Sequence, residues 1–185
     1  SANALTSGIC NIAIGVNALG AATTGCLNIA IGDYALAGGV TTGIHNIAIG
    51  QQAMDALTAG NDNIAIGRGA HGDNTDGSCN IAIGSRALAT GNGGSLNIAI
   101  GKDVMYFSAS TGIENVAIGS SAMWAHTTGT HNVAIGTSGM SGITTGKCNV
   151  AIGRSAGAVL TTGCNNTLIG AKAGCNPEFN ATNNC

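Results

Sequence analysis

Aromatic and charged side chains are both scarce in this chain of 185 residues, at 3% and 8%, and it contains one proline. A compact globular domain generally fills its core with aromatic rings and covers its surface with charges. Here the apolar residues are mainly Ala, Ile, Leu and Val, and 31 glycines are far more than usual. The composition therefore argues against an ordinary globular core.

Several classes of function lack the residues that they need. The net charge of −2 comes without a basic stripe, so a nucleic-acid partner is not expected. No run of 18 apolar residues exists, so membrane insertion is not expected. No Gly-Lys-Ser/Thr follows the glycines, and no Ser-His-Asp or Cys-His spacing is convincing. We therefore expect neither an enzyme nor a cofactor.

What the chain has instead is one motif, NIAIG or a close variant, written ten times. The opening residues of the ten copies are Asn11, Asn28, Asn46, Asn63, Asn80, Asn97, Asn115, Asn132, Asn149 and Asn166. They follow one another at intervals of 17 residues, or 18 after Asn28 and Asn97. The repeat covers nearly the whole chain, which predicts a single array over residues 1–185 with an irregular end at 171–185.

The spacing within each copy predicts a strand and two bends. We number positions from the opening Asn: Ile stands at +3 and Gly at +4 in all ten copies, and Gly also stands at −3. Ile alternates with a small residue, as in a strand, and glycine suits a tight bend or a positive φ. Seventeen residues are too few for a helical repeat. The sequence therefore predicts an all-β fold, a parallel β-solenoid with about ten coils.

Stacking of the coils gives each position a predicted role. We expect Asn to bond to its copies above and below, and the two Ile of each motif to fill the core. The small residue at +2 then points outward, and its strict smallness predicts an interface between subunits, with a homotrimer as the natural closed assembly. The predicted interface residues are Ala13, Ala30, Ala48, Ala65, Ala82, Ala99, Ala117, Ala134, Ala151 and Leu168.

The tandem pattern NIAIG…AL…TTG..NIAIG resembles the repetitive shaft segments of bacteriophage tail fibres. It is also similar to the heads of trimeric autotransporter adhesins, although the coils of those heads are shorter. The resemblance covers essentially the whole chain. It implies a left-handed, trimeric β-roll whose small motif residue faces the partner chains.

Seven cysteines suggest an oxidising or extracellular setting, and the absence of C-x-x-C argues against zinc-ribbon and thioredoxin sites. Cys10 and Cys26, like Cys148 and Cys164, are 16 residues apart, which places them diagonally on adjacent coils. Disulfides within these pairs fit the spacing, but their one-residue offset argues against them, and the question stays open. Cys175 and Cys185 flank the proline and are candidates for closing a terminal loop.

Three of the five aromatic residues lie in two adjacent copies. Tyr106 and Trp124 share position +9, with Phe107 and His126 beside them, which suggests an exposed patch for a glycan or receptor. Packing beneath a loop is the alternative. No two histidines share a column on adjacent coils, so we expect no metal site.

These observations predict a fibre or adhesin segment: a stiff, non-enzymatic rod on a virion or cell exterior that supports attachment. The five TT pairs at 23, 41, 127, 144 and 161 suggest an alternative, an ice-binding solenoid. An acyltransferase of the left-handed helix type is the third reading, but such enzymes use six-residue repeats.

Overall fold

The computed structural model describes residues 6–38, 41–91, 94–106 and 110–176, and all structural statements below concern these residues. Ten short strands, one per motif, lie in chain order in one parallel sheet. They are β1 (Ile12–Ile14), β2 (Ile29–Ile31), β3 (Ile47–Ile49), β4 (Ile64–Ile66), β5 (Ile81–Ile83), β6 (Ile98–Ile100), β7 (Val116–Ile118), β8 (Val133–Ile135), β9 (Val150–Ile152) and β10 (Thr167–Ile169). The predicted all-β, parallel β-solenoid is confirmed.

Equivalent positions of successive coils lie directly above one another. In the middle of the array, for example, Ala82 is paired with Ala99 and Ile83 with Ile100. The two 18-residue coils keep the same register, so their additional residue is accommodated outside the strands. Each column of the repeat is therefore a physical stack along the rod.

None of the described segments forms an apolar helix with the length needed to cross a bilayer.

The opening Asn residues form the predicted ladder, and nine of the ten are fully buried. Asn132, a typical member, accepts a hydrogen bond on Oδ1 from the backbone N–H of Asn149 at 3.1 Å. Its Nδ2 donates to the carbonyl of Gly146 at 2.8 Å and to Oδ1 of Asn115 at 3.1 Å. Each side chain thus satisfies buried groups on both neighbouring coils, which a side chain without both a donor and an acceptor cannot do.

The two invariant glycines are required for different reasons. The +4 glycine adopts φ between 119° and 134°, a conformation that other residues rarely reach, as the predicted bend requires. The −3 glycine does not have a positive φ, but the next coil passes too close for a side chain. A Cβ on Gly146 would lie 2.5 Å from the carbonyl oxygen of Gly163. Close stacking of the coils therefore depends on this second glycine.

This close approach makes a direct prediction. We expect Gly146→Ala to lower the free energy of unfolding by about 3 kcal/mol, because two backbones must separate to admit one methyl group. Gly69→Ala is the matched control: its Cβ would meet only Cγ of Arg86, at 3.8 Å. The cost of this variant is then the strain of alanine at a φ of 61°, about 1 kcal/mol. Equal losses in urea unfolding of the two variants would contradict this role for Gly146.

Three further bends per coil use left-handed backbone without relying on glycine. Positions −1, +6 and +8 have φ near +55°, for example at Cys79, Arg86 and Leu88 of one coil. Isolated residues of these types avoid this conformation, which costs about 1 kcal/mol or more each. The same bend recurs in every coil because the ladder of main-chain hydrogen bonds fixes it. Residue preference alone gives no sign of these bends at Leu or Met.

The orientation of the strands was predicted wrongly. The +2 residues lie inside the coil: Ala30, Ala48, Ala65, Ala82, Ala99, Ala117, Ala134 and Ala151 are 0% exposed, and Leu168 is 7% exposed. Only Ala13, in the first coil, is partly buried. The flanking Ile and Val residues, which we expected in the core, face outward. The +2 column therefore cannot be the interface between subunits.

The reason is the narrowness of the coil. The opposite wall contributes a small residue at +7 and a large one at +8, such as Ala122 and Met123, both fully buried. With Leu or Met already filling the interior, the strand has room for only one methyl group per coil. Two Ile side chains in addition would force the walls apart. The strict smallness of the +2 column thus comes from core packing.

One coil places a histidine where its neighbours have Met54 and Leu88. His71 at +8 is fully buried, and its Nδ1 has no hydrogen-bond partner. Its Nε2 lies 3.3 Å from Nδ2 of Asn80. Burial lowers the pKa of His71 from 6.5 to about 4. The neutral imidazole is therefore the form that fits the core.

This histidine makes the rod sensitive to acid. Between pH 6.5 and 4 the unfolded chain binds a proton at His71 that the folded chain does not, so stability falls as the pH falls. The loss attributable to His71 reaches about 3 kcal/mol near pH 4. Met54 occupies the same position of the adjacent coil, with a φ of 52° against 54° at His71, so methionine fits there. We expect His71→Met to remove that part of the pH dependence. Identical pH profiles of unfolding for variant and native chain would contradict this assignment.

Residues 171–176, expected to be irregular, continue the coil. Lys172 and Gly174 adopt the positive φ values of the +6 and +8 columns. The N–H of Lys172 also donates to the carbonyl of Arg154, one coil earlier, at 2.8 Å. Residues 177–185 lie outside the described part of the chain.

Candidate functional site

The outward residues of the ten strands form one continuous apolar surface, which we call the isoleucine ladder. Its members are Ile12, Ile14, Ile29, Ile31, Ile47, Ile49, Ile64, Ile66, Ile81, Ile83, Ile98, Ile100, Val116, Ile118, Val133, Ile135, Val150, Ile152, Thr167 and Ile169. All but Thr167 are aliphatic, and none carries a charge. Each side chain stacks on the same position of the coils above and below, so the surface is preformed.

Most members of the ladder are half-buried by their neighbours, and several are exposed. Ile66, Ile135 and Ile152, well within the array, are 37–38% exposed, and Ile169 at its end is 68% exposed. Ten strands about 4.8 Å apart and three residues wide span about 43 by 10 Å, or about 430 Å². Apolar patches of this size on a monomer often have a function.

Apolar residues also flank the ladder at positions −2 and −1. Ile9, Leu27, Ile44, Leu96 and Ile113 are between 37% and 65% exposed. The same two columns also hold polar and charged residues, such as Asp62 and Lys147. The apolar area therefore stays near that of the ladder, about half of the ~800 Å² that each partner contributes to an interface of standard size.

Acid and histidine pairs occupy the −1 column on the same side. Nδ1 of His45 lies 3.2 Å from Oδ1 of Asp62 on the next coil, and His131 contacts Glu114 in the same way. All four side chains are substantially exposed. At the surface such pairs contribute little to stability, and they are better regarded as a polar margin of the apolar face.

The predicted aromatic patch does not form as one surface. His126 is 1% exposed, with Nδ1 2.8 Å from Oγ of Ser110 and Nε2 2.9 Å from the carbonyl of Gly129. Burial lowers its pKa. Tyr106 and Trp124 are half-buried and line separate hollows, and Phe107 lies outside the described residues. His126 belongs to the core because position +11 points inward, like Leu57 and Ile143 elsewhere.

The cysteines that the structure describes are free thiols. Cys26 stacks on Ile9, whose N–H lies 3.4 Å from the sulfur, and Leu27 stacks on Cys10. The one-residue offset thus keeps the two thiols in different columns, and the Cys148–Cys164 pair has the same offset. Cys175 is also free, and Cys185 lies outside the described residues. The candidate disulfides are therefore not formed among the described cysteines.

Within the described ranges, no three His, Cys, Asp or Glu side chains come close enough together to hold a metal ion.

Comparison with protein-family models, with curated proteins and with solved structures found no match. The isoleucine ladder is therefore the feature on which a functional interpretation rests.

Proposed function

We propose that this chain is a segment of a fibre or adhesin, a rod on a virion or cell exterior that supports attachment to a host or surface. The observation that carries the proposal is the isoleucine ladder, which leaves an apolar face exposed along a regular solenoid. A rod that acted as a single chain would gain nothing from this face and would risk aggregation. The repeated motif is also what the resemblance to fibre shafts rests on.

The occupant that we propose for this face is a second and a third copy of the same chain. Identical ladders are equal in length and apolar character, so rods placed side by side cover one another along their whole length. A closed ring of three buries every ladder around one axis, whereas open association would leave ladders exposed. The uncharged ladder suits such an axis, because a charge buried there without a partner is costly.

The rod is suited to bear load because every coil is bonded to the next. Main-chain hydrogen bonds, the Asn ladder and threonine hydroxyls all run along its axis; for example, Oγ1 of Thr127 donates to the carbonyl of Thr144 at 3.0 Å. Unfolding one coil must expose the buried faces of its neighbours, as in other repeat proteins. Such an array suits holding an attachment site away from its base.

Electron microscopy of the particles or cells that make the protein tests its location. We expect a gold-labelled antibody raised against the rod to decorate slender projections on intact particles or cells. Labelling that appears only after lysis would overturn the exterior location. Pre-absorbing the antibody with the purified rod is the control.

The alternative, an ice-binding surface, is less well supported. The second threonine of each TT pair is exposed, at Thr24, Thr42, Thr128, Thr145 and Thr162, but Thr41 of the first column is buried. Ala59 and Asp76 interrupt the exposed column. A flat, regular threonine array is therefore not formed, and we expect no thermal hysteresis from the purified rod.

A further inference from the structure

A polar notch lies on the part of the coil that follows the +4 glycine, and none of its lining residues belongs to the isoleucine ladder. It has a volume of about 300 Å³ and is lined by residues of four successive coils, from Gln52 to Tyr106. Charged residues of both signs line it. Since the rod otherwise repeats itself, this break in the pattern is a candidate site.

One glycine, Gly69, opens the notch, and a second, Gly72, lies in its lining. Gly69 stands at +6, where the adjacent coils have Gln52 and Arg86, and Gly72 stands at +9. Gly69 faces open space: a Cβ there would meet only Cγ of Arg86, at 3.8 Å. Gly72 is buried, and a Cβ there would crowd Oδ1 of Asp55 and the carbonyl oxygen of Gly69, both at 3.3 Å. The missing side chain of Gly69 thus leaves a gap bordered by the long side chains of neighbouring coils.

Asp55 and Asp73, on adjacent coils, form the acidic part of the lining. Partial burial, and secondarily the charge of Asp73, raise the pKa of Asp55 above its usual range. Neither carboxylate forms an ion pair with a described basic side chain. The acidic side therefore accepts hydrogen bonds from an incoming donor.

Arg86 and Arg68 provide the basic part. Nε of Arg86 lies 2.7 Å from Oδ1 of Asp103, and its guanidinium stacks on the ring of Tyr106, 4.8 Å from the centroid. These contacts fix the guanidinium before any ligand arrives, and of its five N–H donors some remain beyond those that Asp103 and Tyr106 accept. Arg68 forms no ion pair with a described acid.

A second hollow lies farther along the rod and is lined by Trp124. Its volume is about 340 Å³, and its other lining residues are Ser121, Ala125, Ser141, Gly142 and Ala158. Trp124 and Tyr106 occupy the same position of adjacent coils, so the two hollows follow each other along one side. An indole ring between small and hydroxyl-bearing residues offers an apolar surface with polar edges.

We infer that the polar notch binds one unit of a saccharide chain that continues toward Trp124. A sugar hydroxyl donates to a carboxylate and accepts from a guanidinium, so one kind of group satisfies both parts of the notch. The C–H face of a second unit suits the indole. A saccharide is favoured over a small zwitterion because the two hollows lie in line. The inference rests on the proposed attachment function, for which it names the ligand class.

A microarray of neutral, amino and acidic saccharides tests the inference with the complete rod. Gly69→Asn fills the notch with a residue that this column tolerates, since Asn17 has the same position and a φ of 52°. Ser155→Asn is the matched control in the same column, because Ser155 lines neither hollow. Arg68→Gln keeps most of the side chain and removes its charge.

We expect the native rod and Ser155→Asn to bind the same saccharides, with affinity at least about tenfold lower in Gly69→Asn and Arg68→Gln. No binding by the native rod, or unchanged binding by Gly69→Asn, would overturn the inference. Sedimentation of the same samples separates the two proposals. An assembled rod that binds no saccharide refutes only the notch, whereas a rod that stays monomeric refutes the proposed assembly whatever the array shows.

Discussion

Placing aspartate at two rungs of the isoleucine ladder should dissociate the assembly and leave the coils folded. Ile66 and Ile135 lie four strands apart, and they are 38% and 37% exposed in the single chain. In a free rod both carboxylates reach solvent, so folding loses the partial burial of two Ile side chains, about 1–2 kcal/mol each, but buries no charge. In a closed trimer six carboxylates become buried without partners. Each costs several kcal/mol, so association should weaken by about a thousandfold or more.

The matched control carries the same charges elsewhere. Thr111→Asp with Thr145→Asp alters the exposed threonine column, where Asp76 is already present. Sedimentation velocity should give single chains for the ladder variant and the native assembly for the control, with the same circular dichroism for both. Sedimentation of the ladder variant as the native assembly would rule out the ladder as the contact surface.

Removing one side chain from the Asn ladder should cause the largest loss of stability. Asn132→Ala leaves the buried N–H of Asn149 and the buried carbonyl of Gly146 without their partners, at 3.1 and 2.8 Å. Each such group costs about 1–3 kcal/mol, and a small cavity adds to the loss. We expect the free energy of unfolding to fall by about 4 kcal/mol. Urea unfolding at one fixed protein concentration measures it, because assembly also stabilises the fold.

Two further variants separate hydrogen bonding from other effects. Asn132→Asp keeps the acceptor for Asn149 but loses the donor to Gly146 and buries a carboxyl group, so it should also be destabilising. Asn165→Ala removes an exposed asparagine of the −1 column. It should lower the free energy of unfolding by about 1 kcal/mol, because alanine is strained at a positive φ. A loss in Asn132→Ala no larger than in Asn165→Ala would show that the ladder is dispensable.

The fold class could be predicted because the period fixes it. A motif every 17 residues that contains strand alternation and a bend leaves few architectures other than a solenoid, and equal spacing aligns equal residues. The Asn ladder and the corner glycine followed from the same stacking. In both cases the prediction required only that each position meet its own copy in the next coil.

The orientation of the strands could not be derived from alternation, which identifies two faces without saying which is inside. We expected the larger residues inside, as in most sheets. The contrary signal was in the other half of the repeat, where Leu or Met at +8 already fills a narrow interior. Met123 and Ala117, both fully buried, show how one large residue is matched by one small one. Interior volume, summed over the coil, decided the orientation.

The polar notch could not be predicted from the shared positions of the repeat, because it arises where one coil departs from them. Its signal was present as glycine at +6 of one coil, Gly69, where the other nine copies carry a side chain. His126 was misplaced for a related reason. Position +11 holds Leu57 or Ile143 in other coils, and comparison of that column would have placed the histidine inside.

Sedimentation equilibrium of the native chain over a wide concentration range tests most directly whether the rod associates through its apolar face. One chain has a mass of 17.9 kDa, so a closed trimer has a mass of about 54 kDa. We expect the trimer mass across the range, and its loss in the variant with aspartate at Ile66 and Ile135. A native chain that remains at 17.9 kDa at every concentration would contradict the account.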